Sequence, residues 1–327
     1  MPCHSRPIGL CDITRVGFDA VRYARLVYAI ALSVAACLRA RTRVDVAWVV
    51  DAKGLGDFEV SDALALTPGG GRIGSLFSGA IDGQLSDLAS RQSASGRVVG
   101  IDVSVIDANA AGLPTGGHVR CVLTPAAELP EGLWQRMMDR EPVCLVSQLN
   151  NEVITQTTLF TADTITDAAA EIGNLFNRGA SSIVASGDTV VTVLWPITRL
   201  IVAGAGPMAD ALRDAAALLG WQTVIAADAS TATGLIATLS AMDNLVVTSH
   251  ELETAGGALV AALASDVGYI GAIGSRKMQQ TRADWLAYRG ITDLDRIHGP
   301  AGLDIGAKTP AEVAVAILAE VLAARKG

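Results

Sequence analysis

The stretch Arg199-Leu-Ile-Val-Ala-Gly204-Ala-Gly206-Pro207-Met208-Ala209 constrains the fold more tightly than any other part of the chain. An apolar strand enters a Gly-x-Gly turn, an alanine- and leucine-rich run follows as far as Gly220, and Trp221 to Asp228 reads as a second strand closed by an acid. Strand, turn, helix and strand stand in the order of a dinucleotide-binding unit, with the acid about twenty positions beyond the turn. Gly204 permits the sharp turn, and Gly206 leaves bare backbone for an anion to approach. Pro207 fits the first helical turn, where no N–H is needed. Met208 and Ala209 continue the helix, Ala209 standing where the fingerprint has its third glycine. The helix N-terminus then points free amides and a positive dipole end at a phosphate, and Asp228 is placed to accept from a ribose. The competing reading is a tight strand–helix turn that serves packing alone.

At 327 residues the chain has material for two cores. Trp195-Pro196 marks the boundary, because the proline ends a strand and a new pattern begins at once. The expected architecture is α/β: an N-terminal α/β domain over 1–195, then a Rossmann-like doubly wound parallel sheet over 196–327. The net charge of −8 and the lack of a basic stripe argue against a nucleic-acid surface. Cys3, Cys11, Cys37, Cys121 and Cys144 are scattered without ligand spacing, so no metal site is expected. Leu26 to Leu38 is apolar but too short to span a bilayer. Val34-Ala-Ala-Cys37 looks like a lipoprotein cleavage site, yet it lies late and is flanked by Arg25 and Arg39. Phe18, Val21, Arg22 and Arg25 extend a helical pattern upstream, so a buried helix in a cytoplasmic protein is expected. Residues 1 to about 15 show no periodicity and read as a loose extension.

The first half then reads as mostly strands. Val44–Asp51 is a strand, and a hairpin joins Asp62–Thr67 to Arg72–Leu76 across Pro68-Gly-Gly-Gly71. Small residues around Asp82, in Ser78-Gly79-Ala80-Ile81-Asp82-Gly83, leave amides at the start of a helix from Gln84 to Arg91, either as an anion cradle or as a plain capped turn. A strand is expected over Arg97–Asp107. Gly116 and Gly117 mark a tight turn or a close approach to the backbone before a strand from His118 to Leu123. A short helix over Pro130–Arg140, a hairpin across Asn150-Asn151, a helix over Thr164–Asn177 and a strand over Asp188–Trp195 complete this half.

Beyond the opening unit, His250 in Ser249-His250-Glu251 follows a strand, on the rim where open α/β sheets hold ligands. Gly274-Ser275-Arg276-Lys277 closes another strand. Ser275 can cap the helix that follows, whereas two cations at that end oppose its dipole, which points to an anionic ligand. Thr309-Pro310-Ala311-Glu312 is a capping box, and Val313, Ile317 and Val321 then line one helical face up to Arg325 and Lys326. In the glycine-rich loop before it, Asp304 either pins neighbouring amides or meets a ligand.

These residues resemble the XdhC/CoxI family of molybdenum-hydroxylase maturation proteins. The likeness is closest in Val193-Leu-Trp-Pro, Gly204-Ala-Gly206-Pro207, Leu219-Gly220-Trp221, Gly271-Ala-Ile-Gly274-Ser275-Arg276 and His298-Gly-Pro-Ala-Gly302-Leu-Asp304-Ile-Gly306-Ala-Lys-Thr-Pro-Ala-Glu312. The first half matches in outline, at Gly74 to Gly83 and at Gly116-Gly117. The resemblance implies a non-catalytic chaperone. Such a protein binds the molybdenum cofactor, as molybdopterin or its dinucleotide, or assists its sulfuration. It then hands the cofactor to the apo-enzyme of a xanthine dehydrogenase- or CO dehydrogenase-type hydroxylase. It implies a cofactor set drawn from Gly204, Gly206, Pro207, Met208, Asp228, His250, Gly274, Ser275 and Arg276, with Gly79, Asp82, Gly116 and Gly117 from the first half. The family commonly carries cysteines where this chain has Ala80 and Thr115, and neither residue can supply a thiolate to a soft metal–sulfur centre. That departure suggests a homo- or heterodimer, including pairing with a cysteine-bearing family member. Ser230 also stands where a basic residue is expected. Two other readings remain: an NAD(P)-dependent oxidoreductase, with His250 and His298 as candidate proton carriers, and a non-binding subunit of a heteromer.

Overall fold

The computed structural model describes residues 27–56, 58–60 and 62–324. The expectations for residues 1 to about 15, for Phe18, Val21, Arg22 and Arg25, and for Arg325 and Lys326 lie outside the described residues. The chain divides into two compact units, one ending at Trp195 and the other beginning at Pro196.

The first unit runs α1 (Val27–Arg39), β1 (Asp45–Lys53), β2 (Ala63–Leu66), β3 (Arg72–Gly74), α2 (Asp82–Ser90), β4 (Arg97–Val103), α3 (Val105–Ala110), β5 (Gly117–Pro125), α4 (Leu133–Met138), β6 (Val143–Asn150), β7 (Val153–Thr161), α5 (Ala170–Phe176), β8 (Ser182–Ser186) and β9 (Thr189–Leu194). Its strands form a sheet in the order β3-β2-β1-β5-β4-β7-β6-β9-β8, antiparallel at every pairing. Both faces are covered, so β1 reads as a nearly continuous apolar run. Val46, Trp48 and Val50 join the core under α1 and α4, while Ala47 and Val49 join the core under α2 and α3. The sheet curls: Trp48 Nε1 donates to Thr192 Oγ1 at 3.2 Å although four strands separate β1 from β9. At its middle the sheet narrows to a seam, where Arg97 opposite Val153 is the one register pair between β4 and β7.

Three expectations change here. The strand from Arg97 stops at Val103 because Ser104 Oγ accepts from Asp107 N at 3.1 Å and caps α3. The helix expected over Thr164–Asn177 is a short 3₁₀ turn, Ile165–Asp167, followed by α5. The strand β8 is additional, and pairs with β9 across a turn at Gly187.

The second unit runs β10 (Arg199–Ala203), α6 (Pro207–Leu218), β11 (Gln222–Ala226), α7 (Ala229–Ile236), β12 (Asn244–Val247), α8 (Leu252–Leu263), β13 (Tyr269–Ala272), α9 (Arg276–Ala287), β14 (Ile297–His298) and α10 (Pro310–Ala324). The strands lie in the order β11-β10-β12-β13-β14, all parallel. Alternation along β10 builds two cores. Leu200 and Val202 pack with α6 and α10, whereas Ile201 and Ala203 pack with α7, α8 and Leu286 of α9. The sheet is therefore doubly wound. The winding reverses between β10 and β12, which opens a crevice at their carboxyl ends. At the opposite edge the fully buried Asp243 accepts from Arg199 N at 2.9 Å and from Arg199 Nη2 at 2.7 Å, holding β10 and β12 in register.

Candidate functional site

The switch-point crevice is built from two loops. On one side Gly204 leaves β10 at φ +129°, its amide donating to Ala226 O at 2.8 Å. A Cβ there would fall 2.6 Å from Ser249 N and closer still to Thr248 Oγ1, so only glycine lets the β10 and β12 loops meet. Gly206, at φ +100°, is different: nothing lies within 4 Å of where its Cβ would stand, so this side of the turn faces open space. Pro207 begins α6, which has no side-chain cap. Its hydrogen-bond ladder starts only with Asp210 N donating to Gly206 O at 3.1 Å, which leaves the first-turn amides of Met208 and Ala209 without intrahelical acceptors. That combination of bare amides, positive dipole end and vacant space is what a phosphate requires.

On the other side stands the β12–α8 loop with His250, which is exposed and makes no hydrogen bond or ion pair among the described residues. Gly274, Ser275 and Arg276 sit on the same rim, one strand further along. Ser275 Oγ accepts from Met278 N at 3.3 Å as the cap of α9, and Arg276 is exposed beside it. Asp228 reaches the rim at the end of β11, but it caps α7, accepting from Thr231 N at 2.9 Å and Thr231 Oγ1 at 2.7 Å. The Thr231 amide is the largest of the influences that hold this carboxyl below its ordinary value. The fold thus collects Gly204, Gly206, Pro207, Met208, Asp228, His250, Gly274, Ser275 and Arg276 at one edge of the sheet, with the Asp228 carboxylate engaged by its own helix.

Two residues that sequence reasoning passed over hold this rim together. Arg282 is 2% exposed, with Nη1 donating to Ile273 O at 2.7 Å and Nη2 to Ser249 O at 2.9 Å, so it ties the β12–α8 loop to the β13–α9 loop. The available clue was a cation within the apolar stripe Met278, Arg282, Leu286. Glu320 of α10 accepts from Tyr269 Oη at 2.6 Å and Gly302 N at 2.7 Å, and its other oxygen lies 3.4 Å from His298 Nδ1. His298 stacks on Tyr269 with centroids 4.7 Å apart. Burial, then the bond to Glu320, raises the Tyr269 phenol well above its usual range. Glu320, not Asp304, pins the glycine-rich loop: Asp304 is exposed and bonds no amide through its side chain among the described residues. His298, a candidate proton carrier for hydride chemistry, is held in this structural cluster.

In the first unit, Phe77, Ser78 and Gly79 take consecutive left-handed conformations at φ 48°, 54° and 96°. Such strain in non-glycine residues persists only when the surroundings fix it. Phe77 is anchored in the core, and the buried Asp82 accepts from Leu76 N at 2.9 Å. The amides of Gly79 and Ala80 donate to Leu76 O and Phe77 O at 3.0 Å, whereas α2 itself begins without a side-chain cap. Gly116 and Gly117 are explained by the protein's own backbone. A Cβ on Gly116 would fall 2.5 Å from Val103 O, and one on Gly117 would overlap Lys53 O. His118 has a partner invisible to sequence spacing, with Nδ1 2.7 Å from Asp102 Oδ1 on the neighbouring strand.

The described cysteines in the cores of the first unit are poor metal ligands. Burial pushes the Cys121 thiol up to about 12 and that of Cys144 up to about 11, and both lie in apolar cores. Among the described residues no group of three or more His, Cys, Asp or Glu side chains is placed to hold a metal ion.

The second unit, then, is a Rossmann-like doubly wound domain whose switch-point turn faces open space beside an uncapped helix start. Comparison with known proteins makes this specific: residues 200–321 match the XdhC Rossmann domain. The match is confined to this domain and covers 122 of the 327 residues. It is 26% identical over 177 residues to YqeB, an uncharacterized protein of Escherichia coli K12, covering 46% of this chain and 32% of YqeB. The chain therefore spans about a third of that relative's length. A crystal structure described as a xanthine dehydrogenase from Bacillus halodurans is similar over 92% of this chain and 96% of that one, with 19% identity and a TM-score of 0.45. Among the described residues no helix is long and apolar enough to cross a membrane.

Proposed function

We propose that this protein is an accessory protein of a molybdenum hydroxylase of the xanthine dehydrogenase or CO dehydrogenase type. In this reading it binds the phosphate-bearing end of the molybdenum cofactor and delivers the cofactor to the apo-enzyme. One observation carries the reading: in an XdhC Rossmann domain, the turn at Gly206 faces open space beside an uncapped helix N-terminus. Among the described residues, those at this rim fit the phosphate and not the metal. Gly206, Met208 and Ala209 supply amides to an anion, Arg276 adds charge on the same rim, and Gly204 keeps the two loops close enough to exclude a side chain between them. When bound, the cofactor supplies the molybdenum centre on which the client enzyme depends. Alanine at position 80 and threonine at 115 supply no thiolate at the two positions where the resemblance places cysteines, and the thiols of Cys121 and Cys144 are buried, so in this reading metal ligation falls to the client or to a cysteine-bearing partner in a homo- or heterodimer.

Protein purified from a host that makes the cofactor is expected to carry pterin, detected by fluorescence after oxidation, and the Gly206→Val variant to carry much less while remaining folded. Repeated absence of pterin at stoichiometric expression, or equal pterin in the variant, refutes the reading. Saturable quenching on NADH titration without pterin would instead favour an NAD(P)-dependent oxidoreductase.

A further inference from the structure

We infer that the cavity beneath α9 is a binding pocket for an organic anion, an acidic head carried on an apolar or flat body. It goes beyond the cofactor reading: no residue of the Gly204–Pro207 turn lines it, and of the residues assigned to the cofactor rim it shares Arg276 alone. The cavity, of about 420 Å³, lies between α8, α9 and the loop after β14. That volume suits a small organic molecule. Leu259, Leu286, Leu294, Ile297 and Pro300 make its walls apolar. Its charged lining residues are both cations, Arg276 and Arg282, and no carboxylate lines it.

Arg282 is the telling residue. A buried guanidinium is ordinarily matched by a carboxylate, since an unpaired charge in the interior is costly. Here its acceptors are the neutral oxygens of Ile273, Ser249 and Gln279, the last at 3.3 Å from Nη1, and its Nε–H is buried with no acceptor among the described residues. Burial without a counter-charge draws its pKa below the ordinary guanidinium range. An incoming anion in the cavity would supply the missing counter-charge beside the guanidinium, whose Nε–H itself is sealed from solvent. Arg276, exposed and unpaired among the described residues, stands at the same cavity. Gln279 is already fixed, its Nε2 donating to Ala272 O at 2.8 Å, and keeps the wall rigid. Head and body thus have separate recognition elements.

The test is a titration of the full chain, followed by amide chemical shifts, with phenyl phosphate, benzyl alcohol and inorganic phosphate. Phenyl phosphate is expected to give saturable shifts clustered over Arg276–Leu286 and Gly299, with the other two at least about tenfold weaker because each lacks one half of the recognition. Arg276→Gln is expected to weaken phenyl phosphate several-fold, and Ala283→Phe, which fills the cavity, to abolish its shifts. Both variants leave the Arg282 hydrogen bonds in place, so each is expected to remain folded. Equal binding of benzyl alcohol or of inorganic phosphate, shifts that survive Ala283→Phe, or no saturable shift overturns the inference. Loss of pterin from the Gly206→Val variant with phenyl phosphate binding retained separates this pocket from the cofactor site.

Discussion

Replacing Glu320 with alanine is expected to cost the second unit about 3–6 kcal/mol. The carboxylate, 19% exposed, accepts from Tyr269 Oη and from Gly302 N. Each hydrogen bond to a charged group contributes roughly 1.5–3 kcal/mol, and removal leaves both donors without an acceptor, the phenol of a 2% exposed tyrosine among them. Glu320→Gln keeps a carbonyl oxygen where both donors converge and loses only the charge assistance, so about 1–2 kcal/mol is expected. For a unit of this size the alanine variant should melt about 10–20 °C lower and the glutamine variant only a few degrees lower. Thermal unfolding followed by circular dichroism, with hydrogen exchange at the Gly302 amide, measures both. The second measurement is specific, because loss of the carboxylate should accelerate exchange at Gly302 before it affects the amides of β10. An alanine variant within about 1 kcal/mol of the parent would mean that the loop is held by other contacts and would refute the reasoning.

Other outcomes follow from the same geometry. Gly204→Ala should destabilise by more than about 3 kcal/mol, because strain at positive φ is compounded by overlap with the β12 loop, whereas Gly206→Ala should cost about 1–2 kcal/mol from φ alone; similar melting temperatures for the two variants would contradict the assignment of open space to Gly206. The carboxyls of Asp228 and Glu312 are held below their ordinary values, foremost by the amides of Thr231 and Thr309. Their contribution is therefore complete above the unfolded values near pH ~4 and is lost as pH falls through the lower folded values. Asp228→Asn with Glu312→Gln should flatten that acid limb of the stability curve, and an unchanged slope in acid urea titrations would count against both caps. Peptide mapping after treatment with a thiol reagent at neutral pH should find Cys121 and Cys144 unmodified until denaturant is added, and rapid labelling of either would overturn its burial.

Local chemistry made part of this fold readable in the sequence. The capping box is one case: Glu312 N donates to Thr309 Oγ1 at 3.3 Å and Thr309 N to Glu312 Oε2 at 2.9 Å. The Gly-x-Gly turn is another, because its strand, turn and helix are contiguous in the chain. Glu320 was illegible because Tyr269 lies fifty-one residues before it and Gly302 eighteen, and no local pattern reports such a meeting. The different duties of Gly204 and Gly206 were equally hidden, since one abuts the β12 loop and the other faces open space. Asp228 carries a duty the spacing did not reveal: its distance from the turn fits a ribose ligand, and Thr231, three residues on, also makes it a helix cap. The strand β8 is a short segment whose partner, β9, identifies it better than its own composition does.

The two helices that cover one face of the parallel sheet come from opposite ends of the second unit. Ala209, Leu212 and Ala216 of α6 share a core with Ala314, Ile317 and Val321 of α10. A ribosome must therefore translate every other strand and helix of this unit before the helix behind the glycine turn acquires its apolar cover. The proposed anion seat is among the last parts of the nascent domain to mature, and a chain stalled before α10 would expose greasy surface to chaperones and proteases in place of a finished turn.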